Sequence, residues 1–273
     1  MGNKTWYITG CSRGFGRAWA RAALERGDRV AATARDVSTL AELVTRFGDA
    51  VLPLELEVTD RAASVEAIGK AHQHFGRLDV VINNAGYGHF GFVEELSEAE
   101  ARAQIETNLF GALWTTQAAI PLLRAQGGGH IVQVSSIGGV AAFPSLGIYH
   151  ASKWALEGLT EALAAEVAMF GIRTTLIEPG GYATDWGGAS AHRSQALPQY
   201  QPIREALMAS WGTMKMPAAD ATTAALLACV DAESPPARLL LGSFAHDTAM
   251  QVYAQRQKGW KEWEAVSRGA DGQ

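Results

Sequence analysis

The chain has 273 residues, 48% hydrophobic and 19% charged, which suits a globular protein with a large core. Its net charge of -5 excludes the broad positive field that nucleic-acid binding needs. Two cysteines, Cys11 and Cys229, exclude a disulfide framework or a cysteine-rich zinc site, and no metal is expected.

Residues 4–9 read as a strand, and no basic segment with an apolar h-region precedes them. Trp6 stands where an N-myristoylation signal wants Ser or Thr. No apolar run is long enough to span a bilayer, so a cytoplasmic protein without membrane contact is expected. Residues 14–26 form a helix with alanines and Leu24 inward, and residues 29–33 a second strand. A helix over 38–47, a strand over 51–56, a helix over 61–74 and a strand over 78–82 follow. Two helices near 97–107 and 109–126 lead to a fifth strand at 130–134. A long helix then runs to about residue 170, with strands at 172–177 and 238–241. Strands alternating with helices predict βαβ units and a parallel sheet covered on both faces. Right-handed crossovers make that a single-domain α/β, doubly wound fold of about seven strands over residues 1–273.

Residues 182–217 break the rhythm. They are rich in Gly, Ala, Ser and Gln, carry Trp186, Tyr200 and Trp211, and follow the sixth strand's C-terminal end. A long irregular insert there predicts a substrate lid. The tail from residue 250 is expected to be helical, with Tyr253, Trp260 and Trp263 packing inward or on a second subunit. Residues 268–273 are expected to fray.

Thr9-Gly10-Cys11-Ser12-Arg13-Gly14-Phe15-Gly16 lies between the first strand and the first helix. Glycines there let a pyrophosphate approach the backbone, and the helix N-terminus offers free N–H groups. After the second strand comes Thr33-Ala34-Arg35-Asp36. With Ala34 at the discriminating position, no carboxylate meets the adenosine ribose. Arg35 and Arg13 would instead hold a 2′-phosphate, which favours NADP(H) over NAD(H). A one-residue shift in register would bring Asp36 to the ribose and imply NAD.

Tyr149 and Lys153 are four residues apart in Y-H-A-S-K, a spacing that sets both on one helical face. A free phenol has a pKa of roughly 10, and a neighbouring cation lowers it. A shift of ~3 units needs about 4 kcal/mol. Such a tyrosine exchanges a proton with a carbonyl or alcohol oxygen near neutral pH. Ser136 lies thirteen residues upstream, at the C-terminal end of the apolar strand 130–134, the edge where open α/β sheets bind ligands.

These residues together resemble the classical branch of the short-chain dehydrogenase/reductases. The likeness runs over residues 4–185 and rests on T-G-C-S-R-G-F-G, N-N-A-G at Asn83-Asn84-Ala85-Gly86, Asn108, Ser136, Y-H-A-S-K, and Pro179-Gly180 followed by Thr184. The resemblance implies a Rossmann fold and hydride transfer between a nicotinamide and a carbonyl or secondary alcohol. In that reading Tyr149 is the general acid/base, and Lys153 tunes it and holds the nicotinamide ribose. Ser136 orients the carbonyl, although Ser135 competes for that role. Asn108 positions a water that relays protons through Lys153. Gly10, Ser12, Arg13, Gly14, Phe15 and Gly16 cradle the pyrophosphate side, with Arg35 beside the adenosine ribose. Asn83, Asn84, Ala85 and Gly86 line the groove, and Pro179, Gly180 and Thr184 meet the nicotinamide. Glu57 stands where the family has Asp at the adenine, while Val58 keeps a backbone contact. A homodimer or homotetramer through the helices before the fifth and sixth strands is implied. Phe90, Phe143, Trp186 and Trp211 suit an apolar or aromatic ketone, and His89 is expected on a surface loop. The alternatives are an NAD-dependent alcohol dehydrogenase and a non-catalytic dinucleotide-binding sensor.

Overall fold

The computed structural model describes residues 3–188, 190–212 and 216–272. In chain order the first half runs β1 (Thr5–Ile8), α1 (Gly14–Glu25), β2 (Arg29–Ala34), α2 (Ala41–Phe47), β3 (Val51–Glu55), α3 (Arg61–Phe75), β4 (Val80–Asn83), β5 (His89–Phe90), α4 (Glu98–Ile105) and α5 (Gly111–Ala125). It continues with β6 (Gly129–Val134), α6 (Gly147–Val167), β7 (Ile172–Pro179), β8 (His192–Arg193), α7 (Gln201–Gly212), α8 (Thr223–Asp231), β9 (Arg238–Leu241), α9 (Ser243–Glu262) and α10 (Glu264–Gly269).

Seven strands make one sheet in the order β3-β2-β1-β4-β6-β7-β9, every neighbour parallel. Side chains alternate across it because a strand repeats every two residues. Trp6, Ile8, Val30, Ala32, Ile82 and Val132 therefore face one layer, with Trp19 of α1 and Leu226 of α8. Tyr7, Ala31, Val81 and Ile131 face the other, with Ile68 of α3, Leu123 of α5 and Leu163 of α6. Both faces being buried explains why the strands read as continuous apolar runs. Among the described residues, no helix is long and apolar enough to cross a membrane.

From β1 the chain winds to one side through β2 and β3, then returns to start β4 on the other. Such a reversal opens a crevice at the strands' C-terminal ends. The glycine turn sits on one side of it. Gly10 (φ +72°) and Gly14 (φ +59°) take left-handed backbone that a side chain disfavours. A Cβ on Gly16 would lie 2.3 Å from the Gly10 carbonyl oxygen and 2.5 Å from Asn84 Nδ2. Asn84 ties the two sides together, its Nδ2 donating to Thr9 O at 2.9 Å and Gly10 O at 3.0 Å.

Three segments differ from the sequence reading. Between α4 and α5 there is no break: a π-helical turn, Glu106–Phe110, joins them and carries Asn108. The tail helices run to Gly269, with Trp260 and Trp263 exposed on this chain rather than packed inward. Residues 182–217 are more regular than expected. They hold β8, which pairs in parallel with β5, and the 12-residue α7. The reason is a buried carboxylate. Glu95 accepts from Phe92 N and Leu197 N, both at 2.8 Å, and pairs with Arg204 of α7. Tyr200 stacks on Phe92 with ring centroids 4.5 Å apart. Residues 189 and 213–215 of this segment, and residue 273 of the tail, lie outside the described residues.

Gly16→Val drives its side chain into the Gly10 carbonyl and the Asn84 amide, and overpacking of this kind costs about 1–3 kcal/mol. Thermal unfolding of the variant should show it. Arg204→Met strands a buried charge on Glu95 and should open residues 190–212 to limited proteolysis. Acid should do the same. Burial works against the Glu95 charge, but the Leu197 and Phe92 N–H groups and Arg204 hold its carboxyl below the usual carboxylate range. A depressed folded value means this stabilisation is present above the unfolded value and lost as pH falls through the folded one. Protection of the segment should fall on that side of the carboxylate range and be insensitive to pH near neutrality.

Candidate active site

α6 carries both Tyr149 and Lys153, and both are buried, at 6% exposure each. Lys153 Nζ donates to Val134 O at 2.7 Å and lies 5.9 Å from the centre of the Tyr149 ring. Ser136 follows β6, and its hydroxyl hydrogen-bonds the phenol side of Tyr149 while accepting from Gly138 N at 2.9 Å. Ser135 turns away, its Oγ toward Glu157. Just before α6, Ser145 holds φ +67°, unusual outside glycine, and its carbonyl accepts from Gly91 N at 2.8 Å. Strained backbone persists only where its surroundings over-determine it. Here it fixes the start of the helix that delivers the tyrosine.

The electrostatics differ from what the Tyr–Lys spacing alone predicts. Burial pushes the Tyr149 phenol up to about 12, with the Ser136 hydrogen bond opposing. Burial also pulls the Lys153 ammonium down to about 8, with Glu157 opposing. Taking both groups out of water disfavours their charged forms more than one neighbour favours them. The protein alone thus keeps a proton on Tyr149.

Asn108 faces the lysine across Gly86: a Cβ there would lie 3.0 Å from Asn108 Oδ1 and 3.8 Å from Lys153 Nζ. Its Oδ1 accepts from Tyr87 N at 3.1 Å, and its Nδ2 donates to Tyr87 O and Ser152 Oγ, each at 3.1 Å. π-turns recur at functional sites because they rotate a side chain out of the helical register.

The residues anticipated for a dinucleotide border the crevice. α1 opens at Gly14 with no side-chain cap on its first turn, so backbone N–H groups face the glycine cradle that a Cβ on Gly16 would fill. That arrangement fits a pyrophosphate. Ser12 is half-buried in the turn, and Phe15 stacks on Trp19 at 5.1 Å. Arg13 pairs with Asp185 at 3.0 Å. Arg35 is 75% exposed and 4.0 Å from Glu57. Glu57 Oε1 accepts from Thr59 N and Oγ1, both at 3.1 Å, and so closes its own loop. Asp36 accepts from Ser38 N at 2.9 Å and caps the next helical turn. Val58 packs beneath Gly111. Asn83 points into the sheet's cover, its Nδ2 on Thr116 at 2.9 Å. Ala85 N donates to Thr9 Oγ1 at 2.9 Å. Pro179 ends β7, Gly180 N donates to Leu241 O at 3.1 Å, and Thr184 lies over Gly14.

Aromatic side chains of β5 and of residues 186–211 gather at the tyrosine. Trp186 stands 4.9 Å from the Tyr149 ring and 5.2 Å from Phe90, which is 6.0 Å from Trp211. Among the described residues its buried indole N–H has no hydrogen-bond partner. Phe143 is not in this group; it packs on Phe244 at 6.5 Å and His150 at 5.6 Å. His89 is a correction to the surface-loop reading. It is 1% exposed, because the β5–β8 pairing covers it and Ser194 Oγ bonds its Nε2 at 2.8 Å. The Glu95–Arg204 and Arg13–Asp185 pairs also escaped the sequence reading, since no local pattern links residues so far apart in the chain.

Comparison with known proteins agrees with this geometry. The family model for short chain dehydrogenase matches residues 4–195. Oxidoreductase BOA17 of Botryotinia fuckeliana is 42% identical over 97% of this chain and 99% of its own length. A solved short-chain dehydrogenase from Streptomyces avermitilis superposes with a TM-score of 0.93 at 37% identity, covering 98% of each chain. A Burkholderia cenocepacia short chain dehydrogenase in complex with NADP has a TM-score of 0.76 and 28% identity, covering 95% of this chain and 97% of that one. A Burkholderia phymatum short chain dehydrogenase/reductase in complex with NAD has a TM-score of 0.78 and 26% identity, covering 91% and 92%. With a seven-stranded parallel sheet, a glycine cradle at its switch point and Ser136, Tyr149 and Lys153 on one edge, the chain belongs to the short-chain dehydrogenases and is an oxidoreductase of that class.

Proposed function

We propose that the protein reduces an apolar or aromatic ketone with NADPH, or oxidises the matching secondary alcohol with NADP. The observation that carries this is the convergence of Ser136, Tyr149 and Lys153 beside the glycine cradle. A nicotinamide, when bound, supplies the hydride to the carbonyl carbon or takes it back. Tyr149 gives its hydroxyl proton to the carbonyl oxygen. A phenol held up to about 12 keeps that proton at neutral pH, which is the form reduction needs. Ser136 donates a hydrogen bond to the same oxygen. Lys153 stabilises the phenolate as it develops, and its charge acts strongly because water is excluded. Asn108, across Gly86 from Lys153, guides a proton between the lysine and solvent. Gly10, Gly14 and Gly16, with Ser12, hold the pyrophosphate on backbone N–H groups, and Thr184 stands where the nicotinamide end lies.

The preference for NADP(H) rests on side-chain directions at the second strand. Asp36 is occupied in capping, which leaves Arg35 as the charged group free to turn toward a 2′-phosphate. Trp186, Phe90 and Trp211 give the lid side of the site an apolar surface, which favours a bulky ketone over a small charged oxoacid. The NAD complex of the Burkholderia phymatum relative keeps NAD(H) as the second reading. Exposed Trp154 and Met169, on and just after α6, support assembly as a homodimer or homotetramer.

NADPH consumption against a panel of ketones tests the proposal, and a preference for charged oxoacids would remove the apolar-substrate reading. Tyr149→Phe should lower kcat by about 10²–10⁴-fold with cofactor affinity unchanged; wild-type turnover in that variant would overturn its acid/base role. Arg35→Ala should lower the ratio of kcat/KM for NADPH to that for NADH by about tenfold, the weight of one charge-assisted contact. An unchanged ratio would release Arg35 from cofactor selection.

A further inference from the structure

Below the lysine lies a cluster that the chemistry above does not use. Glu157 is one helical turn beyond Lys153 on α6, Glu178 is near the end of β7, and Arg238 opens β9. Arg238 Nε lies 3.1 Å from Glu157 Oε2 and 3.4 Å from Glu178 Oε1. Its Nη2 lies 3.1 Å from Glu161 Oε2 at the surface. The side chains of Glu157 and Glu178 are only 9% and 2% exposed.

One guanidinium cannot neutralise three carboxylates. Two of them are buried, where desolvation and mutual repulsion oppose a second charge. Hydrogen bonding leads to the same conclusion. Beyond Ser135 and Arg238, Glu157 Oε1 and Glu178 Oε1 meet no donor among the described residues, and the two acids stand within hydrogen-bonding reach of each other. Ionised carboxylates only accept, so a facing pair needs a proton between them. Burial and then the Glu157 charge push the Glu178 carboxyl up to about 8. Glu157 is also raised by burial, against Ser135 and Arg238. Glu157 in turn holds up the ammonium of Lys153 against burial. The other groups around the lysine are neutral: Val134 O from β6, Tyr149 from its own helix, and Asn108 and Gly86 across the crevice. The acid pair is faced by Ser135 after β6, Arg238 from β9 and Glu161 from α6.

We propose that Glu157 and Glu178 share one proton, and that the charge left on Glu157 makes it a positioning residue that keeps Lys153 in its ammonium form. This rests on the reading of Lys153 as the partner of Tyr149. The two acids then differ in role: Glu178 stores the proton, whereas Glu157 supplies the field.

The test uses the intact protein and two isosteric variants, Glu157→Gln and Glu178→Gln. Infrared spectroscopy of the wild type near neutral pH should show a buried protonated carboxyl that disappears in both variants. Carbon-13 NMR of Cε-labelled lysine, with Lys153 assigned from its loss in Lys153→Met, should then separate them. Removing the Glu157 charge should lower the lysine titration by about one unit. Glu178→Gln should leave it in place, because the amide still donates to Glu157. Glu157→Asp should restore most of the wild-type value. The alkaline limb of reductive kcat, where the ammonium is lost, should move to lower pH in Glu157→Gln alone. A merely structural pair would move neither titration selectively. Absence of the protonated carboxyl in wild type, or equal movement of the lysine in both variants, would overturn the proposal. A protein that reduced no carbonyl would defeat the proposed function while the infrared and NMR results still judged this pair.

Discussion

The site depends on one bridge across the switch point: the Asn84 amide donating to Thr9 and Gly10. Those two bonds join the turn after β1 to the segment after β4, and so set the crevice between them. Gly16 allows the approach, since any side chain there would occupy the same space. The Thr9 hydroxyl completes the bridge by accepting from Asn84 N and Ala85 N. A weaker junction would let the glycine turn drift from the segment that carries Gly86, and with it the spacing to Asn108 and Lys153.

Burial then does the electrostatic work. The same exclusion of water raises Tyr149, lowers Lys153 and raises the Glu157–Glu178 pair. Each group alone would lose charge. Arranged along α6 and onto β7, they compensate one another in the proposed reading: an acid pair with one proton, then an ammonium, then a phenol that holds its proton. The low polarity that is costly for each group at rest makes the ammonium effective when phenolate develops.

Residues 182–212 are held by a different means. Their anchor is the buried Glu95, which gathers the backbone donors of Phe92 and Leu197 and an arginine from α7. The same segment meets the glycine turn and the tyrosine in three consecutive residues. Thr184 lies over Gly14, Asp185 pairs with Arg13, and Trp186 covers Tyr149. One short stretch therefore touches both the glycine turn and Tyr149.

Local pattern was enough for the sheet, because each strand is an apolar run bounded by turn residues and each crossover helix is long enough to show its period. Glycine spacing after β1 and the four-residue step from Tyr149 to Lys153 are also local, so the glycine turn and the helix face that carries both side chains were legible along the chain. What the chain order did not contain was charge state and long-range pairing. Lysine proximity alone does not lower the Tyr149 phenol; burial raises it in the protein by itself, because depth of burial is a property of the packed fold. His89 turned inward because β8 pairs with β5, and Phe143 left the aromatic group because it found Phe244. Residue identities and short spacings thus determined the fold class and the chemical groups on offer. Only the tertiary structure decided which of those groups meet, how dry they are, and therefore which of them keep a proton.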